Sequence, residues 1–136
     1  MNRHDSRVAA IQGLYSWDMN EDKEAADVTS FNWIENKKDG DDLTFARLML
    51  SGTLENIDKI DSEIKSRLSP SWDFSRINKV TLSILRVSAY SLIFQTDLQS
   101  AIIINEAVEI AKSFGIVDQG AFINGILDRI SKELRQ

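Results

Sequence analysis

The sequence predicts an all-α protein, and three observations carry that prediction. A single proline (Pro70) and six glycines interrupt 136 residues. Apolar side chains recur three to four apart through most of the chain, the spacing of a helix face. No segment alternates strictly between apolar and polar residues, as a half-buried strand would. Hydrophobic residues make up 43% of the chain, enough to fill a core and to exclude wholesale disorder.

The elements follow in order. A first helix starts after Ser6, a good N-cap, and runs to Met19, with Val8, Ile11, Leu14 and Tyr15 on one face. Asn20 to Lys23 is a polar break. A second helix carries Val28, Phe31 and Ile34. Asn36 to Gly40 is a loop, and Asp41 or Asp42 caps a long third helix. Its stripe of Leu43, Leu50, Leu54, Ile57, Ile60 and Ile64 runs on to Leu68, where Ser69-Pro70-Ser71 stops it. Trp72 to Phe74 forms a short helical turn. The next helix spans Ile77 to Gln95 and is apolar on several sides, which marks it as the central buried helix. Ser100 opens a helix ending at Phe114, with Gly115 as its left-handed cap. Asp118 caps the last helix, which holds Phe122, Ile126 and Ile130. Counting the short turn, this gives about seven helical segments, in one domain or in two small lobes sharing a core.

Composition narrows the function. The net charge is -5, so any nucleic-acid site must be a local patch on an acidic body. There are no cysteines, which excludes disulfides, thiolate zinc sites and cysteine nucleophiles. A cytoplasmic location fits that composition. Met1 to Ser6 has no apolar core behind it, so no signal peptide is expected. The apolar run Ala101–Ile104 closes at Asn105-Glu106, far short of the roughly 20 residues of a membrane span.

No constellation reads as catalytic. Asn105 and Glu106 are neighbours on a helix and diverge by about 100°. Asp39-Gly40-Asp41-Asp42 lacks the spacing and closing glutamate of a calcium loop. The single His4 has no second histidine or cysteine to share a transition metal. No glycine-rich phosphate loop or nucleophile motif is present. Neither an enzyme nor a cofactor is expected.

Four segments carry a specific resemblance. Ile104 to Gly115 (INEAVEIAKSFG) and Phe122 to Asp128 (FINGILD) are similar to the two signature segments of the NusB family, at that family's spacing. Leu85 to Tyr90 (LRVSAY) resembles its central helix, and Arg7 to Trp17 (RVAAIQGLYSW) its first. Glu21 to Ser69 matches only in helical character. The resemblance implies an all-α fold of two small helical bundles packed at an angle, here a single domain over 1–136 divided near residue 70. It also implies an RNA-binding transcription antitermination factor. Its RNA is the single-stranded boxA element of a leader transcript. Its partners are NusE, a small-subunit ribosomal protein, and the transcription elongation complex. The sequence departs from the family pattern in three places. Only Arg3 and Arg7 remain of an N-terminal arginine run, Ser91 replaces a glutamate, and Gln99 replaces a proline. Each lost cation removes a phosphate contact and its counterion release. A NusB-like module that docks a protein without binding RNA is therefore the alternative.

Seven residues are candidates for an RNA surface. Arg3 and Arg7 lie about one turn apart at a solvated helix start, where free N–H groups also attract anions. Gln12 and Tyr15, three apart, share a face. A tyrosine ring stacks on an unpaired base and a glutamine amide reads a base edge; equally, Tyr15 could be a half-buried core aromatic. Arg86 sits in an apolar helix and needs a partner. That partner is Asp118, another carboxylate, or a phosphate at the junction of the lobes. Phe114 and Phe122, at two helix ends, either stack on bases or pack in the core.

Overall fold

The structure, a computed structural model, describes residues 1–20, 24–34 and 42–135. Seven α-helices and two 3-10 turns form among them, and no strand. The helices are α1 (Arg3–Met19), α2 (Ala25–Thr29), α3 (Thr44–Glu55), α4 (Ile57–Lys65), α5 (Lys79–Phe94), α6 (Ser100–Ser113) and α7 (Gly120–Leu134). The 3-10 turns, Phe74–Arg76 and Val117–Gln119, precede α5 and α7. No helix of the described residues is long and apolar enough to cross a membrane. The polar break at 21–23, the loop at 36–40 and the candidate cap Asp41 lie outside the described residues.

Helix α5 is the centre of the molecule. Every residue from Thr81 to Leu92 is buried. Helices α1, α3 and α4 pack on it, and so do α6 and α7. Its start is fixed by Asn78, whose side chain accepts from the N–H groups of Val80 (2.9 Å) and Thr81 (3.2 Å), two of the four donors a helix start leaves unpaired. Burying each leucine or isoleucine of this helix contributes about 1.5–3 kcal/mol against leaving it in water. One glycine is required by contact with α5. A Cβ on Gly52 of α3 would lie 2.3 Å from the Tyr90 ring, so the two helices meet there with no room for a methyl group.

The short turn falls at Phe74–Arg76 and not at 72–74, α5 starts at Lys79 and not at Ile77 because Asn78 caps it, and four further boundaries are corrected. Helix α1 begins at Arg3, because Asn2 caps it by accepting from the Asp5 N–H at 2.7 Å. Asparagine caps as well as serine, and Ser6 is buried inside the helix instead. Helix α2 ends at Thr29, before two of its expected apolar residues. Phe31 adopts a left-handed backbone (φ 56°) and reaches the core from a turn. The long third helix is two helices, parted at Asn56, whose side-chain amide donates to the Gly52 carbonyl at 2.8 Å. The apolar stripe continues across the break because α4 starts at once. Asp118 does not cap α7. The 3-10 turn containing it runs directly into the helix, and the capping position is Gln119, with helical backbone angles and no side-chain cap bond.

Arg86 also differs from one expected pairing. Its partner is not Asp118. Asp61 of α4 accepts from its Nε (2.8 Å) and Nη2 (2.7 Å), and Asp18 of α1 lies 3.4 Å from its Nη1. The guanidinium is buried, hydrogen-bonded to Asp61 and faced by the Asp18 carboxylate without a hydrogen bond, and the Phe74 ring lies 6.0 Å from it. Removing one partner of such a group strands the others in the interior. Arg86→Met should therefore destabilise the fold by about 3–5 kcal/mol. That lowers the melting temperature by roughly 10 °C or more for a domain of this size. A melt within about two degrees of the parent in circular dichroism would show that the pairing does not hold α1, α4 and α5 together.

Candidate nucleic-acid interface

Three of the seven candidates meet in one place. Gln12 and Tyr15 of α1, Val80 from the first turn of α5 and Phe114 at the end of α6 line an open apolar groove of about 290 Å³, floored by Ile11. Helical spacing puts Gln12 and Tyr15 side by side. Phe114 is held at the rim by the turn behind it. Gly115 takes φ 78° and its N–H donates to the Lys112 carbonyl at 3.0 Å, while the Ile116 N–H donates to the Ala111 carbonyl at 3.0 Å. This pair of bonds ends α6 at once and needs a residue free to adopt positive φ. Tyr15 keeps 37% of its surface exposed and Gln12 is exposed beside it. Two aromatic rings and an amide at the mouth of an apolar slot suit a flat, partly polar ring such as a nucleobase.

The two arginines of the helix start do not behave alike. Arg3 is exposed, with its guanidinium 3.7 Å above the Phe45 ring of α3. Arg7 is not at a solvated helix start. Because α1 begins four residues earlier than expected, Arg7 lies in its second turn, 9% exposed, and its Nε has no hydrogen-bond partner. Burial lowers its pKa from the ordinary arginine value, Glu106 opposes that shift, and Arg3 adds to it. His4 bonds to the same Glu106, so α6 clamps the start of α1. Arg86, buried under α1 and α4, does not reach the groove. Phe122 lies apart from it as well, half-buried against Trp72 with ring centroids 5.0 Å apart.

Lys79 was passed over in the sequence. It is the first residue of α5, 44% exposed, and its ammonium lies 3.7 Å from the Asp18 carboxylate. A cation in the first turn opposes the helix dipole, and that conflict is the signal the sequence did contain. Among the described residues no group of three or more histidine, cysteine, aspartate or glutamate side chains is placed to hold a metal ion. The contrast between the arginines predicts unequal stability effects. Arg7→Ala should destabilise the fold by roughly 0.5–3 kcal/mol through lost packing, and Arg3→Ala by no more than about 1 kcal/mol. Thermal melts of both variants test this; equal melting temperatures would contradict the buried placement of Arg7.

Comparison with known proteins gives the family of this fold. The NusB family profile matches residues 4–132. The transcription antitermination protein NusB of Treponema pallidum (strain Nichols) is 43% identical over 139 residues, covering 97% of this chain and 94% of its own. That of a Nitratiruptor species is also 43% identical, over 136 residues, with 98% and 94% covered. Among solved structures, NusB of T. maritima superposes with a TM-score of 0.87 at 31% identity, covering 100% of this chain and 94% of that one. A crystal structure of the antitermination factors NusB and NusE in complex with double-stranded RNA contains a chain with a TM-score of 0.78 at 27% identity, covering 98% and 99%. With the profile and the relatives both spanning nearly the whole chain, this protein belongs to the NusB family.

Proposed function

We propose that this chain is an RNA-binding transcription antitermination factor that acts in the cytoplasm with NusE on the elongation complex. The observation that carries the reading is the groove that gathers Gln12, Tyr15 and Phe114 on a NusB-family fold. The RNA is a boxA-type single strand, because the groove needs an unpaired base while a duplex offers mostly phosphates and sugar hydroxyls. Tyr15 and Phe114 stack on a base, and Gln12 reads its edge. Arg3 supplies the exposed cation of the helix start, while Arg7 holds that start in place. Arg86 fixes the helices under the groove without touching RNA.

A second reading, protein docking without RNA, draws on the net charge of -5 and on the burial of Arg7. Together they leave one exposed arginine at the helix start, which anchors few phosphates. The first reading therefore requires NusE to strengthen RNA binding. Linkage then requires RNA to tighten NusE by the same factor.

Titration with a boxA-type strand, with and without NusE and across several salt concentrations, tests both readings. Tyr15→Ala should weaken binding by about 1–3 kcal/mol with little change in salt slope, and Tyr15→Phe should retain the stacking. Arg3→Ala should flatten the slope by about 0.7. The same sequence as a duplex should bind less tightly. Tyr15→Ala binding like the parent while folded, or RNA affinity indifferent to NusE, would favour the docking module.

A further inference from the structure

A second hollow lies just before the α5 start. Ser71, Trp72, Asp73 and Arg76 line it, and its volume is about 450 Å³. Trp72 remains 49% exposed although tryptophan is the largest apolar side chain, and it rests on the Phe122 ring of α7. That contact braces the indole on one side and leaves the rest of it to solvent. Tilted aromatic pairs at this separation hold a ring in place. Arg76 is exposed at the edge.

The hollow and the groove are close neighbours along the chain. Arg76 lines one and Val80 the other, and four residues of chain span at most about 14 Å. Lys79 lies between them, half-exposed and held only at 3.7 Å by Asp18. The Thr81 hydroxyl donates to the Gln119 side chain at 3.2 Å, tying the α5 start to the turn before α7 that carries Phe122. The α5 start and the α7 start that carry these side chains are thus linked. We propose that Trp72, braced by Phe122, is a second base-stacking platform for the same RNA strand, with Lys79 and Arg76 meeting the phosphates between the two platforms.

The charges fit a strand running in that direction. On an acidic chain, two exposed cations stand by these aromatic hollows, Arg76 in the lining of the second and Lys79 next to Val80 of the first, as a single-strand path requires. Asp73 also lines the second hollow. Its carboxylate accepts from the Ser75 N–H (2.9 Å) and hydroxyl (2.7 Å), which holds its pKa below the usual carboxylate range. It stays an anion, so phosphates are kept to Lys79 and Arg76 and a base enters the hollow. Lys79 leaves Asp18 to do this, and Asp18 still faces Arg86.

The proposal rests on the RNA-binding reading above, and one set of titrations separates the two. The probe is a boxA-type single strand of about a dozen nucleotides, long enough to cross both hollows. Trp72→Ala should weaken its binding about 5- to 150-fold, the equivalent of one lost stacked base. Trp72→Phe should recover most of that. Lys79→Met should flatten the salt slope by about 0.7. Trp72 fluorescence, taken as parent emission minus that of Trp72→Phe, should be quenched by the strand. It decides the matter alone if Trp72→Ala does not fold. Parent-like RNA affinity in folded Trp72→Ala, or no quenching, overturns the platform. If Tyr15→Ala weakens RNA and Trp72→Ala does not, the platform falls and the RNA-binding function stands; if neither does, both fall. Loss of NusE affinity with RNA affinity intact would assign the hollow to a protein contact and overturn the proposal.

Discussion

Arg86 lies inside the most apolar helix of the chain, and carboxylates from two other helices close on it. A charge in that position is costly unless it is paired. The pairing ties α1 and α4 to α5, because Asp18 and Asp61 come from different helices and both face Arg86. Buried ion pairs of this kind add little net stability over a well-packed apolar core, while losing one member is severe. Their effect is on geometry. Here that geometry sets where α1 lies across α5, and with it where Gln12 and Tyr15 point.

The proposed RNA face depends on that arrangement. Tyr15 is one turn before Asp18 on α1, and Val80 is just under two turns before Arg86 on α5. The groove between them is therefore held by the buried pairing farther along the same two helices. The third wall, Phe114, is placed independently by the glycine turn that ends α6. A binding surface assembled from helix ends on a rigid core keeps its shape without a ligand, which limits the ordering lost on binding. Lys79 connects the two levels, since it shares Asp18 with Arg86 while its own side chain is half in water.

Much of the fold was legible in the sequence because apolar spacing reports directly on burial. The α5 stripe, the Ser100 start of α6 and the Gly115 cap all appear where the residue chemistry puts them. The boundaries that moved did so for local reasons. Asn2 competes equally with Ser6 as a cap, and only tertiary contact, chiefly with α3 and α5, buries Ser6 and Arg7. The break at Asn56 is invisible to periodicity, since the stripe keeps its phase across it. The site was legible in part. Gln12 and Tyr15 follow from helical spacing, but their meeting with Phe114 is a long-range contact that no local pattern encodes. The burial of Arg7 is likewise set by packing against Phe45, and Lys79 was hidden by the apolar run that follows it.

The proposed RNA face sets exposed cations of an acidic chain beside the groups proposed to hold bases, at the start of α5. Amide chemical shifts during titration with a boxA-type single strand test that most directly. Shifts should concentrate at Gln12 to Tyr15, Lys79 to Thr81 and Phe114 to Ile116, with the exposed apolar residues Leu48 and Phe94 unmoved. Perturbations confined to the Leu48 or Phe94 surfaces, with Tyr15, Val80 and Phe114 silent, would contradict the account.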